Sequence, residues 1–70
     1  MSTNADREWL KNEVLRHPRA ELTDFTRDHY RTMIVSVQDE EAAEELIRAA
    51  DDVRYAVSRP DGRRLILEAP

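Results

Sequence analysis

VRYAVSRPDGRRLILE, residues 53–68, is the stretch on which the fold turns. Val53, Tyr55 and Val57 alternate with polar or small residues, Leu65-Ile66-Leu67 forms a second β-type run, and Pro60-Asp61-Gly62 separates the two. Proline presets φ for a turn, aspartate hydrogen-bonds locally, and glycine accepts the positive φ of a three-residue hairpin loop. The stretch reads as a β-hairpin. Just before it, Asp39 to about Ala50 follows a helical period. Ala42, Ala43, Leu46, Ile47 and Ala50 share one side, while Glu40, Glu41, Glu44, Arg48 and Asp51 take the other. Asp39, Glu40 and Glu41 crowd the first turn, where the helix dipole favours negative charge, and Asp39 or Gln38 is placed to cap it.

Working outward, the N-terminal half gives the same order of elements. From about Asn4 to His17, Leu10, Val14 and Leu15 form an apolar stripe with Trp9 at its margin. Thr3 with Asp6 resembles a capping pair, and Pro18 stops the helix. Glu21 to Val37 places β-type residues on either side of a polar centre, Arg27-Asp28-His29, and predicts a second hairpin turning at Asp28-His29. The expected architecture is α+β: one domain over residues 1–70 in αββαββ order. It is a two-layer sandwich, with a four-stranded antiparallel sheet and two helices on one face.

Sliding the chain by 32 residues lays Val14-Leu15 on Leu46-Ile47 and Met33-Ile34-Val35 on Leu65-Ile66-Leu67, with five Arg or Glu identities. Residues 6–37 and 38–69 are therefore candidate copies of one supersecondary unit. Tyr30 falls where Gly62 lies, so the first hairpin is expected to turn differently.

Strand alternation sorts the side chains between the two faces. Thr23, Phe25, Met33, Val35, Tyr55, Val57, Leu65 and Leu67 are expected beneath the helices. Ile34 and Ile66 fall at matching places on the opposite face, with Leu22 and Ala56 as neighbours and Arg64 close by. A register error of one residue would exchange the faces. This open face is the expected interaction surface (Leu22, Ile34, Ala56, Ile66, Arg64) for a protein partner, most simply a second copy of the chain, because an apolar patch ringed by polar groups marks such surfaces.

The alternative is nucleic-acid binding. Arg54, Arg59, Arg63 and Arg64 concentrate on the second hairpin, and residues 53–70 carry a net charge of +2. Arginines on a hairpin can hold phosphates. Opposing this, residues 38–52 carry −6 and the whole chain −4, so the strongest helix repels a phosphate backbone.

Catalysis has little to stand on. There is no cysteine, one glycine excludes phosphate-cradling glycine loops, and none of Ser2, Ser36 and Ser58 lies in a Gly-x-Ser-x-Gly elbow. His17 is expected to end the first helix and His29 to sit at a turn tip, so neither reads as a metal ligand or a base. The expectation is a non-enzymatic interaction or regulatory protein without cofactor, metal or small-molecule substrate. No apolar run approaches the roughly 20 residues of a membrane span, and the first residues lack a hydrophobic signal region. That makes a cytoplasmic, acidic protein the expected setting.

Overall fold

A computed structural model describes residues 3–70. Its elements run α1 (Asn4–Arg16), β1 (Ala20–Phe25), β2 (Thr32–Val37), α2 (Glu40–Asp52), β3 (Ala56–Asp61) and β4 (Arg64–Glu68). The four strands form one antiparallel sheet in the order β1-β2-β4-β3. This is the expected two-layer α+β arrangement, with β2 and β4 at the centre and β1 and β3 at the rims.

Both helices begin where their caps dictate. Thr3 Oγ1 accepts from the Asp6 amide and Asp6 Oδ2 accepts from the Thr3 amide, each at 3.1 Å, a reciprocal capping box. Asp39, rather than Gln38, caps α2, accepting from the Ala42 amide at 2.8 Å. That amide first, and the Arg19 guanidinium next, hold the Asp39 carboxyl below the usual carboxylate range.

The core lies between the helices and one face of the sheet. Leu10 and Val14 of α1 and Ala42, Ala43, Leu46 and Ala50 of α2 meet Met33, Val35, Val37, Leu65 and Leu67. Each fully buried Leu or Val contributes about 1.5–3 kcal/mol relative to exposure. On α1 the stripe differs from the expected one. Leu15 is 57% exposed and Trp9 39% exposed, while Arg7 is buried. Arg7, Leu10 and Val14 are spaced i, i+3, i+7, one line along the helix. An arginine stem packs as a hydrocarbon while its head seeks water, and its buried Nε has no hydrogen-bond partner.

The C-terminus of α2 is closed by a Schellman arrangement. The Arg54 amide donates to the Asp51 carbonyl at 3.0 Å and the Tyr55 amide to that of Ala50 at 2.9 Å. Arg54 takes the left-handed position, φ 64°, that glycine usually fills. Val53 and Arg54 therefore belong to the cap, and β3 starts only at Ala56.

The turns also depart from expectation. Asp61 is still in β3, the connection is the two residues Gly62-Arg63, and Gly62 does not adopt a positive φ. Asp61 Oδ1 accepts from the Arg63 amide at 2.8 Å, and a register shift between Ser58 and Asp61 takes up the misfit. In the first hairpin, six residues (26–31) connect the strands, and the left-handed positions are His29, φ 51°, and Tyr30, φ 55°. Tyr55 Oη reaches across to donate to the Tyr30 carbonyl at 2.8 Å.

The different connections affect the comparison of the two halves. Helix and first strand are offset by 36 residues (Asn4 to Glu40, Ala20 to Ala56), the second strand by 32 (Thr32 to Arg64). An ungapped offset of 32 therefore superposes only β2 on β4. At 36 residues, Leu10 corresponds to Leu46 and Val14 to Ala50, all in the core.

Candidate functional site

The sheet face away from the helices is not covered by any element among the described residues. Register fixes its layout. Ile34 on β2 stands directly opposite Ile66 on β4, flanked by Asp24 on β1 and Ser58 on β3. Toward one end of the strands lie Glu21, Ser36, Arg64 and Asp61; toward the other, Thr32, Glu68 and Ala56. Ile34 and Ile66 are half-buried, and their strand neighbours Met33, Val35, Leu65 and Leu67 are fully buried on the other side. The result is a pair of isoleucines at the centre of a polar field.

Leu22 does not belong to this face, contrary to the expected surface. It pairs with Val35 and packs against the core. A bulge between Leu22 and Asp24 is the cause. The extra residue breaks the two-residue alternation, so Leu22 and Phe25 both register with core-facing residues of β2, Val35 and Met33. Thr23 occupies the bulge, and its hydroxyl donates to the Ile34 carbonyl at 3.0 Å. Ala56 does lie on the open face, opposite Glu68 at the β3 rim, and Arg64 stands between Ser36 and Asp61.

The four arginines of the second hairpin do not share one surface. Arg54 is in the α2 cap. Arg59 is turned toward α2, where its two terminal nitrogens reach the Glu40 carboxylate at 2.9 and 3.0 Å, holding that carboxyl below its usual range. Arg63 lies in the turn, and Arg64 alone projects from the open face. The acidic start of α2 is answered a second time by Arg19, which bridges Asp39, Glu41 and Glu45.

His17 caps the C-terminus of α1. Its Nδ1 accepts from the Arg19 amide at 3.1 Å, which leaves Nε2 to donate to Glu45 at 2.9 Å. This clamps α1 to α2. His29 is exposed in the β1–β2 loop. Among the described residues no group of three or more His, Asp or Glu is arranged to hold a metal ion. Ser36 and Ser58 are strand residues on the open face, and Ser2 lies outside the described residues.

One further concavity of about 610 Å³ runs between α2 and β3, with Ile47, Tyr55 and Val57 as its floor and Glu44, Arg48 and Asp51 along its rim. Burial pushes the Tyr55 phenol above its usual pKa, with Arg7 and Arg31 pulling the other way. The hydroxyl is committed to the Tyr30 carbonyl.

Sequence reading missed Arg7, the Arg54 cap and the Tyr55–Tyr30 link. The first two had a usable signal: an i, i+3, i+7 line that includes an arginine, and the Asp-Asp-Val-Arg run ending an alanine-rich helix. No helix among the described residues is long and apolar enough to cross a membrane. The chain matches no protein-family model, no curated protein and no solved structure.

Proposed function

We propose that the chain is a non-enzymatic protein–protein interaction module of regulatory character that docks through its uncovered sheet face. The observation that carries this reading is the cross-strand pair Ile34–Ile66, central on the two inner strands and covered by nothing among the described residues. Ile34 and Ile66 are already half-buried within the chain, so covering what remains contributes about 0.5–1 kcal/mol each, and the surrounding Asp24, Ser58, Thr32, Ser36, Glu68 and Arg64 form the polar rim typical of such surfaces. The rim strands are less suited to docking, since each carries a bulge and β3 contains Pro60.

Photo-crosslinking in the native cell tests this reading. A photoreactive residue at Thr32 or Ser58 is expected to capture protein, and the adducts should disappear with Ile34→Glu or Ile66→Glu. The same probe at Glu44 or Arg48, on the helix side, should capture little. Adducts from the helix side with none from the sheet would refute the proposal.

A further inference from the structure

We infer that the occupant of the uncovered face is a second copy of this chain, related by a two-fold axis running across the strands along the row Asp24–Ile34–Ile66–Ser58. This inference rests on the interaction reading above and adds to it the partner and the register. A two-fold contact brings one patch against itself, so the patch must be its own complement. The open-face residues of β4 meet that requirement. They read Arg64, Ile66, Glu68: a cation, an apolar centre and an anion, with the two charges about 13 Å apart. Reversal about the centre sets Arg64 of one copy against Glu68 of the other, twice. It also stacks Ile66 on Ile66, Ile34 on Ile34, and Thr32 on Ser36.

The other in-plane axis, parallel to the strands, serves this face poorly. It would set Arg64 on Ser36, leave Glu68 on Thr32, and bring Glu21 onto Asp61, acid against acid. Intramolecular pairing leaves these two charges available. Among the described residues neither Arg64 nor Glu68 has an ion-pair partner within the chain, as is also true of Arg7, Arg27, Arg48, Arg54 and Arg63, and of these arginines only Arg64 projects from the open face on a central strand. One group opposes the docking: Asp24 lies on the axis at the β1 rim and meets its own copy.

Four strands about 4.8 Å apart and five to six residues long present roughly 350 Å² per copy, well under the area of a stable dimer. The association is accordingly weak, with a Kd in the range of about 10–1,000 µM.

Analytical ultracentrifugation from about 10 µM to 2 mM decides the matter, with thermal melts confirming that each variant is folded. The wild type should form dimers and nothing larger. Arg64→Glu and Glu68→Arg should each raise Kd about tenfold, since each turns two attractions into two repulsions. The double variant Arg64→Glu/Glu68→Arg should return to within about threefold of the wild type. Asp24→Asn should tighten the dimer. Arg64→Glu also places a carboxylate beside Asp61, so Arg64→Gln is measured alongside and should weaken the dimer less. A wild type that stays monomeric at 2 mM, or a double variant no tighter than either single one, overturns the inference. If the wild type is monomeric while Ile34→Glu still abolishes sheet-face adducts to another protein, the second-copy inference fails and the interaction reading stands. If adducts arise only from the helix side, the interaction reading itself falls.

Discussion

Replacing Tyr55 with phenylalanine isolates a single atom that ties the two halves together. Tyr55 is 4% exposed, and its hydroxyl donates to the Tyr30 carbonyl at 2.8 Å, across 25 residues of chain. Phenylalanine keeps the ring and its packing, so the change removes one hydrogen bond and leaves the half-buried carbonyl without its donor. Such a loss costs about 1–1.5 kcal/mol. A domain of this size holds about 3.5–10 kcal/mol in total, and each kcal/mol shifts Tm by roughly 4–8 °C. The expected fall in Tm is therefore about 5–10 °C, with a lower urea midpoint and an unchanged m-value. Far-UV circular dichroism follows both transitions.

The pH dependence gives an independent check. Burial raises the Tyr55 pKa in the folded state. Its contribution is therefore full below the unfolded value near 10 and is lost as pH rises through the folded one. The gap between wild type and Tyr55→Phe should hold steady from pH 6 to about 9 and close above pH 10. A variant within about 0.3 kcal/mol of the wild type at pH 7 would refute the anchoring argument.

Three further outcomes follow from the backbone and the caps. Arg54→Gly should stabilise the protein by about 0.5–1 kcal/mol in urea titrations, because residue 54 holds φ 64° at the helix C-cap, where a side chain is strained. Gly62→Ala should be neutral or stabilising by up to about 1 kcal/mol, since no atom lies within 4 Å of a Cβ built there and φ is not positive; a clear loss would restore the glycine-dependent turn. Asp39→Asn keeps a capping side chain and removes its charge. The lowered Asp39 pKa contributes stability above the unfolded value near 4 that is lost as pH falls through the folded one. The Tm gap to wild type should therefore be widest near pH 7 and shrink progressively as pH falls below about 4.

Periodicity was enough to read the architecture. Leu46 with Ala42, Ala43 and Ala50 announced the buried side of α2, and the Val-x-Val and Leu-Ile-Leu runs announced the strands. The face assignment of β2 and β4 also followed from alternation, so Ile34 and Ile66 could be placed as a pair. Alternation failed on β1 because nothing local in Leu22-Thr23-Asp24 signals a bulge; pairing with β2 imposes it. The turn residues misled for a related reason. Gly62 permits a positive φ without requiring it, whereas the six-residue loop takes its positive φ at His29, a residue type enriched there, and at Tyr30, one that is not. Arg7 does not stand out in the sequence because its charge marks it as a surface residue, whereas its hydrocarbon stem packs as an apolar side chain would.

Both rims of the sheet are broken at a comparable depth, β1 between Leu22 and Asp24 and β3 between Ser58 and Asp61, the latter beside Pro60. An intact outer strand offers an unbroken row of amide donors and acceptors that can template a neighbour, and that neighbour another, without limit. Here each such row is interrupted after a few residues. Growth of fibres by edge addition is thereby hindered, and a chain this short can expose a greasy face without becoming an aggregation seed.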